Sequence, residues 1–322
     1  MASSFALISD YSRPKYGFRL LAPDKFDVCL EHKKPFDTNG LSIVGSCNGL
    51  HKLIPDESST LTFHPNNIHE NNKVFGFGYD SRNNDYKVVR VHELSNRIHG
   101  EVFSLGKNSW RNLGLVADDD AIISSFFQKD VCFLNGAIHK LVCDLYHKDE
   151  DNVYAYTSML TFDVGSEIFQ PFPLPDCVFC SKMRISVNEG LLCILDFGYE
   201  NEECDIWVMQ QYAVESSWTR LYSIRLVPPT SDYEMARTNF SGFGMNGELM
   251  FVHMSSIYHT DLIMYHPDNE EFKYVDVEGD ILLSSVVACR ESLVSLEQGK
   301  SIYKINKCKI NADEKIQFGT LP

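Results

Sequence analysis

The chain has 322 residues, with 29 Lys or Arg against 44 Asp or Glu, so its formal net charge at pH 7 is −15. Hydrophobic residues make up 44% and aromatic residues 12%, a composition that excludes a wholly disordered chain. The acidic balance argues against nucleic-acid binding, because contact with a phosphate backbone needs a basic patch. The sequence has no apolar run of about 18 residues, so it predicts neither a membrane-spanning helix nor a membrane partner.

The N-terminus and the cysteines indicate the compartment. The first 14 residues lack a basic segment followed by an apolar one, which argues against a secretion signal. The ten cysteines are scattered along the chain, and most lie in apolar segments with the composition of strands, such as Leu192-Cys193-Ile194. We therefore expect reduced, buried thiols and an intracellular protein, located in the cytoplasm, the nucleus or both.

Strand-like segments run along the whole chain, beginning with 16–21 and 26–30. They are rich in β-branched and aromatic residues and are bounded by Asn, Asp, Gly, Ser or Pro. Helical spacing of apolar residues is nearly absent, with 121–127 as the nearest candidate. Further strand examples, in chain order, are 86–91, 101–105, 158–164 and 249–253. The sequence predicts an all-β protein.

Hairpin turns separate these segments at regular intervals. Asn-Gly, the strongest short hairpin signal, occurs between apolar runs at 48–49, 135–136 and 246–247. Weaker turn signals lie at 83–85, 189–190 and 290–291. Together the six turns have a mean spacing of about 48 residues, close to the repeat length of propeller blades. Four strands per repeat predict a single six-bladed, kelch-like β-propeller. The alternative of seven blades would need more residues than the chain has.

The N-terminal strands precede the first turn of this series. A propeller must pair its first and last blades or leave an open sheet edge, so we expect residues 1–40 to complete the final blade beside 282–296. We expect one domain over residues 1–322, with its core motifs at 42–296 and a tail at 311–322.

Five ordered motifs resemble the F-box-associated β-propeller domain of plant F-box proteins, the group that includes S-locus F-box-like proteins. The motifs are GSCNGL at 45–50, GFGYD leading to DYKVVR at 76–90, EVFSLGKNSWRNL at 101–113, and matching segments at 162–169 and 206–219. The resemblance covers most of the chain. It implies a protein-binding module that recruits substrates to an SCF-type ubiquitin ligase.

The F-box that precedes this domain in the family should be a compact helical segment. Residues 1–41 instead have the sequence pattern of strands and turns. The resemblance implies that an F-box docks on the Skp adaptor, so we expect Skp as a partner only where an F-box lies upstream. The chain alone is expected not to co-purify with the adaptor.

Three short motifs that could carry chemistry have simpler structural explanations. GSCNG at 45–49 places Cys47 where a nucleophile elbow needs Ser, and a cysteine under a hairpin turn is the simpler interpretation. CxxC at 177–180 lacks a second pair at zinc-site distance. DSRNND at 80–85 has Arg82 at a calcium-ligand position and fits an Asx-rich turn. The sequence predicts no catalytic residue, no metal and no cofactor.

Aromatic residues recur at one place in successive repeats. They are Trp110, Phe169, Trp218 and Phe272. Their repeated position favours packing between blades over a ligand platform.

Acidic residues concentrate in the segments predicted as long connections, at 114–129, 144–156, 197–203 and 225–239. Because strands alternate in direction, these connections fall on one side of a propeller and the short turns on the other. Long loops on a rigid scaffold are the usual place for binding, and acidic groups steer basic partners. We predict a protein client with a basic surface, bound by Asp118, Asp119, Asp120, Tyr146, Asp149, Glu150, Asp151, Tyr154, Tyr156, Tyr199, Glu200, Glu202 and Glu203. The acidic segment 268–271 is expected on the opposite side.

Two other functional hypotheses stay open. A propeller enzyme with an active site at the central channel would need His, carboxylate or metal ligands from several blades, and the sequence shows no such signature. A truncated F-box relative without a ligase role is the third hypothesis. An in-frame F-box upstream of Met1 would separate it from the binding module.

Overall fold

The structure of the protein is a computed structural model. It describes residues 4–10, 16–21, 28–33, 41–47, 50–55, 73–93, 97–117, 131–149, 152–175, 183–197, 203–225, 238–244, 247–256, 259–275 and 283–290. The described residues are almost entirely β-strand, which confirms the all-β prediction. The chain divides into two compact units, named unit 1 (1–60 and 237–322) and unit 2 (61–236).

The strands of the described ranges are numbered in chain order. They are β1 (Ser4–Asp10), β2 (Tyr16–Leu21), β3 (Val28–Lys33), β4 (Leu41–Cys47), β5 (Leu50–Pro55), β6 (Lys73–Asp80), β7 (Asp85–Glu93), β8 (Ile98–Ser104), β9 (Ser109–Ala117), β10 (Val131–Leu134), β11 (Ala137–Asp149), β12 (Asn152–Asp163), β13 (Ile168–Phe172), β14 (Met183–Asn188), β15 (Leu191–Asp196), β16 (Glu203–Met209), β17 (Trp218–Arg225), β18 (Thr238–Phe243), β19 (Leu249–Ser256), β20 (His259–His266), β21 (Glu271–Val275) and β22 (Leu283–Arg290). A short 3-10 helix, Glu215–Ser217, precedes β17.

Unit 1 contains two four-stranded sheets and one hairpin. The first sheet has the order β22-β1-β2-β3, the second is β18 to β21, and β4 pairs with β5. Strand β1 runs antiparallel to β22, with Leu7 opposite Val287. A strand of the predicted closing segment 1–40 thus pairs with a strand inside 282–296, although β1 was not among the predicted strands.

Unit 2 contains three four-stranded antiparallel sheets, β6–β9, β10–β13 and β14–β17, which are named sheets A, B and C. Strands β10 and β11 of sheet B contact β6 on one side and β14 on the other. Apolar side chains fill both junctions, for example Val89 and Ile138 between sheets A and B, and Met159 and Ile194 between sheets B and C. Burying each such side chain stabilises the fold by about 1.5–3 kcal/mol.

Glycines let sheets A and B approach closely. A Cβ atom on Gly78 of β6 would lie 2.5 Å from the ring of Phe133, and one on Gly76 would lie 2.7 Å from Cγ2 of Ile138. Any side chain at these positions would overlap sheet B. The two glycines thus set the distance between the sheets.

The predicted hairpin turns occupy their expected places in unit 2. Asn135 (φ 50°) and Gly136 (φ 78°) both adopt the left-handed conformation that two-residue hairpins require. In the turn after β6, Oδ1 of Asp80 accepts the backbone N–H of Arg82 at 3.0 Å. The Asx-rich turn predicted at 80–85 is therefore confirmed.

Some predicted features lie outside the described residues. They are the helix candidate 121–127, the CxxC segment 177–180 and the tail 311–322.

Candidate functional site

The connection predicted at 144–156 is wrong, because a long β-hairpin takes its place. Pairing of β11 with β12 runs from Ala137 opposite Asp163 to Asp149 opposite Asn152, with one register shift between His147 and Asp149. The physical reason lies in the local sequence, because Val153, Tyr154, Tyr156 and Thr157 favour a strand in β12 despite the nearby charges. Only residues 150–151 separate the two strands.

The outer part of this hairpin forms a two-stranded arm. Strand β10 pairs with β11 only as far as Lys140, and β13 pairs with β12 only from Met159 onward. Among the strands that the structure describes, residues 142–149 and 152–158 therefore pair only with each other, and we name these segments the arm. At about 3.3 Å per residue, the arm continues for roughly 25 Å beyond the four-stranded part of sheet B.

Three of the predicted tyrosines occupy neighbouring positions in the register of the arm. Tyr146 lies directly opposite Tyr154, and Asp144 lies directly opposite Tyr156. Because side chains alternate between the two faces of a strand, these four positions share one face, which we name the tyrosine face. Asp149 occupies the last paired position of β11, opposite Asn152.

Glu203 is the predicted site residue whose side chain the structure describes. It is exposed at the start of β16, and its carboxylate lies 3.7 Å from the guanidinium of Arg225. Strands β9, β17 and β18 also extend into the predicted connections 114–129 and 225–239, which are correspondingly shorter than expected. The other site residues lie outside the described part of the chain: Asp118, Asp119, Asp120, Glu150, Asp151, Tyr199, Glu200 and Glu202.

Short turns of sheets A and B meet at one end of unit 2. The side chain of Lys87, just after the β6–β7 turn, donates to the carbonyl oxygen of Val164 at 2.7 Å and to Oε1 of Glu167 at 2.8 Å. Both acceptors lie in the turn between β12 and β13, and we name this end of unit 2 the turn side. The arm lies at the opposite end of β12 from this turn.

Charges on the turn side are largely paired. Lys87 also lies 2.7 Å from Oδ2 of the buried Asp80. Burial raises the pKa of Asp80, but hydrogen bonds from Asn83 and Lys87 outweigh it and hold that pKa at about 2. Glu167 pairs in addition with Arg111. This network joins two sheets, which makes it a structural feature.

A buried histidine joins sheets B and C, and the sequence analysis missed it. Nε2 of His139, on β11, lies 2.9 Å from the hydroxyl of Tyr212, which precedes the 3-10 helix of sheet C. Burial lowers the pKa of His139 to about 4 and raises the pKa of Tyr212 to about 12. Both side chains are therefore neutral at pH 7. The partners are far apart in sequence, so no local pattern marks the pair.

Buried thiols and a small cavity complete the described interior. Cys193 and Cys204 are free and buried, as predicted, and burial raises the pKa of Cys193 to about 12. Across the described ranges, no group of three His, Cys, Asp or Glu side chains is placed to hold a metal ion. A cavity of about 30 Å³ between sheets A and B is lined mainly by apolar residues such as Val89 and Phe162. Ligand sites are typically about 300–1,000 Å³.

The recurring aromatic residues divide into two groups. Trp218 is buried between sheets B and C, where its Nε1 donates to the carbonyl oxygen of Pro173 at 3.1 Å, and Phe169 packs against the core of sheets A and B. These two confirm the packing prediction. Trp110 and Phe272 are 45% and 38% exposed, so the prediction is wrong for them.

Comparison with known proteins identifies the family. Residues 33–296 match the sequence profile of the F-box associated beta propeller domain. The chain belongs to this family. The resemblance seen in the five sequence motifs is confirmed, and the antiparallel four-stranded sheets of both units agree with a propeller domain.

Similar curated proteins are F-box proteins of Arabidopsis thaliana. F-box protein CPR1 is 26% identical over 240 residues, which cover 63% of this chain and 57% of CPR1. An F-box/kelch-repeat protein is 23% identical over 236 residues, covering 70% of this chain and 55% of that protein. The chain therefore spans a little over half the length of these relatives.

Solved structures include similar chains. The nidogen/laminin complex contains a chain with a TM-score of 0.48 and 10% identity, over 89% of this chain and 98% of that one. In the described part of the chain, no helix has both the length and the apolar character needed to cross a membrane.

Proposed function

We propose that this chain is the client-recognition module of an F-box protein that serves an SCF-type ubiquitin ligase. Membership of the F-box associated beta propeller family, over residues 33–296, is the observation that carries the proposal. The module binds its client through surface contacts and performs no catalysis itself. It would act in the cytoplasm or the nucleus, where such ligases meet their substrates.

We also propose that residues 1–322 form one six-bladed propeller domain. Unit 2 supplies three four-stranded sheets, and unit 1 supplies two such sheets and the β4–β5 hairpin. The sheet β22-β1-β2-β3 combines strands from both ends of the chain, which is the arrangement that closes a propeller. A closed ring removes the sheet edges that would otherwise invite aggregation.

The ionisable groups described in unit 2 support a binding role over an enzymatic one. The buried Lys87 and Asp80 neutralise each other, and His139 is held neutral by burial and hydrogen-bonds Tyr212. A catalytic acid, base or nucleophile instead combines a pKa suited to its task with access to substrate. The buried thiol of Cys193, with its raised pKa, is also a poor nucleophile.

The arm and the neighbouring acidic segments are the proposed client face. The arm carries Tyr146, Asp149, Tyr154 and Tyr156, and Glu203 begins the third strand of the adjacent sheet. The chain's net charge of −15 favours a client with a basic surface. Acidic groups would speed its association, and the tyrosines would supply contact area.

Reconstituted ubiquitylation tests the proposal. The F-box of CPR1 would be fused before residue 1, and the fusion would be assembled with a Skp adaptor, cullin and RING subunit. We expect proteins that bind the purified 322-residue chain saturably to be ubiquitylated by the fusion and not by the F-box alone. If bound proteins stay unmodified with the fusion, or are modified equally by the F-box alone, the proposed function is wrong.

A further inference from the structure

The tyrosine face of the arm brings three tyrosines and one aspartate to paired positions. It combines Asp144 and Tyr146 on β11 with Tyr154 and Tyr156 on β12, through the direct pairs Tyr146–Tyr154 and Asp144–Tyr156. The Cβ atoms of directly paired positions on one face of an antiparallel ribbon lie about 4.5–5.5 Å apart. The positions of the three tyrosines are therefore adjacent on the arm. Towards the base of the hairpin the same face continues through Val142 and Ile138, which pack in the core between sheets A and B.

A two-stranded ribbon of this length has little stability by itself. Isolated hairpins are marginal in water, and a further packed surface is usually needed to hold them. Tyrosine is the side chain that protein interfaces favour, because it offers a large contact area with few rotatable bonds and a polar end. The arm therefore has the composition of a recognition element.

The negative charge of the arm indicates which kind of protein segment could bind there. The arm carries Asp144 and Asp149 against the single Lys148, and the two residues between its strands in the sequence are Glu150 and Asp151. Carboxylates attract cationic side chains, and the faces of tyrosine rings add cation–π attraction for Arg and Lys. Arginine gains most from both contacts, because its planar guanidinium stacks on rings and binds carboxylates in pairs.

We propose that the tyrosine face docks an extended segment of the client protein that carries arginine or lysine. This inference rests on the proposed function, since it names the segment through which the client is held. An acidic segment would meet repulsion from the arm, and a neutral segment would leave its carboxylates unused.

Fluorescence anisotropy with the full chain and synthetic peptides tests the docking. One labelled peptide alternates arginine with threonine, and a matched peptide carries glutamate in place of arginine. We expect saturable binding of the arginine peptide that weakens as salt is raised, and much weaker binding of the glutamate peptide. Absent binding of the arginine peptide, or equal binding of both peptides, would overturn the proposal.

Variants of the arm locate the binding. The triple variant Tyr146→Thr, Tyr154→Thr and Tyr156→Thr keeps strand propensity and should weaken arginine-peptide binding about tenfold or more. The matching Phe triple variant should bind within about threefold of the natural chain, because the ring faces remain. The control variant His147→Thr with Val153→Thr changes a direct pair on the other face of the arm and should bind normally. Equal affinity of the Thr triple variant and the natural chain would overturn the assignment.

Folding and function are read separately. A thermal melt of each variant shows whether it is folded. If the Thr triple variant does not fold, the Phe triple variant decides the question: loss of arginine-peptide binding in that variant overturns the proposal. In the ubiquitylation assay, an F-box fusion that carries the Thr triple variant should lose modification of a client that the natural fusion modifies. If that client is modified equally, the docking inference is wrong while the proposed function stands.

Discussion

The side-chain nitrogen of Lys87 lies 2.7 Å from Oδ2 of Asp80, and both side chains are almost completely buried. The same nitrogen donates to the carbonyl oxygen of Val164 and to Oε1 of Glu167 in the neighbouring sheet. One ammonium group therefore neutralises two carboxylates and links sheets A and B. A buried charge without a partner is strongly unfavourable, so Asp80 depends on Lys87, while Glu167 also pairs with Arg111.

Replacing Lys87 by methionine should lower the free energy of unfolding by about 3–5 kcal/mol, the usual cost of removing one partner from a buried pair. The reason is that the buried Asp80 keeps its negative charge without a cation beside it, whereas Glu167 retains its ion pair with Arg111. Urea unfolding monitored by tryptophan fluorescence measures the loss.

Arg225→Met is the matched control, because the ion pair of Arg225 with Glu203 is exposed, with side-chain accessibilities of 74% and 62%. That substitution should change stability by less than about 1 kcal/mol. A Lys87→Met variant as stable as the control would show that the buried network contributes nothing to unit 2.

Gly78→Ala should destabilise the chain by about 1–3 kcal/mol, the cost of overpacking a filled core. The new methyl group would lie 2.5 Å from ring atoms of Phe133, a rigid side chain of the adjacent sheet. Adding Phe133→Leu replaces the aromatic ring by a smaller side chain. The double variant should therefore lose less free energy of unfolding than the sum of the losses of the two single variants. Strictly additive losses in urea unfolding would contradict the steric explanation.

Local sequence signals predicted most of the fold. Asn135-Gly136 and Glu189-Gly190 specify two-residue turns, because their backbones must adopt positive φ angles that few residues tolerate. The alternating strands on either side of these turns then pair with their chain neighbours. Such signals need only a few adjacent residues, which explains why the sheet pattern followed from the sequence.

Features that depend on distant partners escaped prediction. The hydrogen bonds of Lys87 with Val164 and of His139 with Tyr212 join residues 77 and 73 positions apart. No periodicity marks such pairs, since they arise when whole sheets pack together.

The arm was missed for a different reason. Charges at 147–151 suggested a loop, whereas the strand-forming residues on either side extend the hairpin.

Deleting residues 1–10 should abolish the cooperative thermal transition or cause aggregation. The deletion removes β1, which pairs with β22 and with β2, and so exposes two sheet edges in unit 1. Size-exclusion chromatography and a thermal melt measure the effect. Adding a synthetic peptide of residues 4–10 should restore monomers in part. A deletion variant that stays monomeric and melts like the full chain would show that β1 is dispensable.

The buried His139 should make the chain less stable as the pH falls from about 6.5 to 4. Burial lowers its pKa from 6.5 to about 4, so in this window the unfolded chain binds a proton that the folded chain does not. The stabilising effect is complete above pH 6.5 and lost towards pH 4, with a total on the order of 3 kcal/mol. Urea unfolding across this range should show a shallower pH slope for His139→Gln than for the natural chain. Equal slopes for the natural chain and His139→Gln would mean that other groups cause the acid sensitivity.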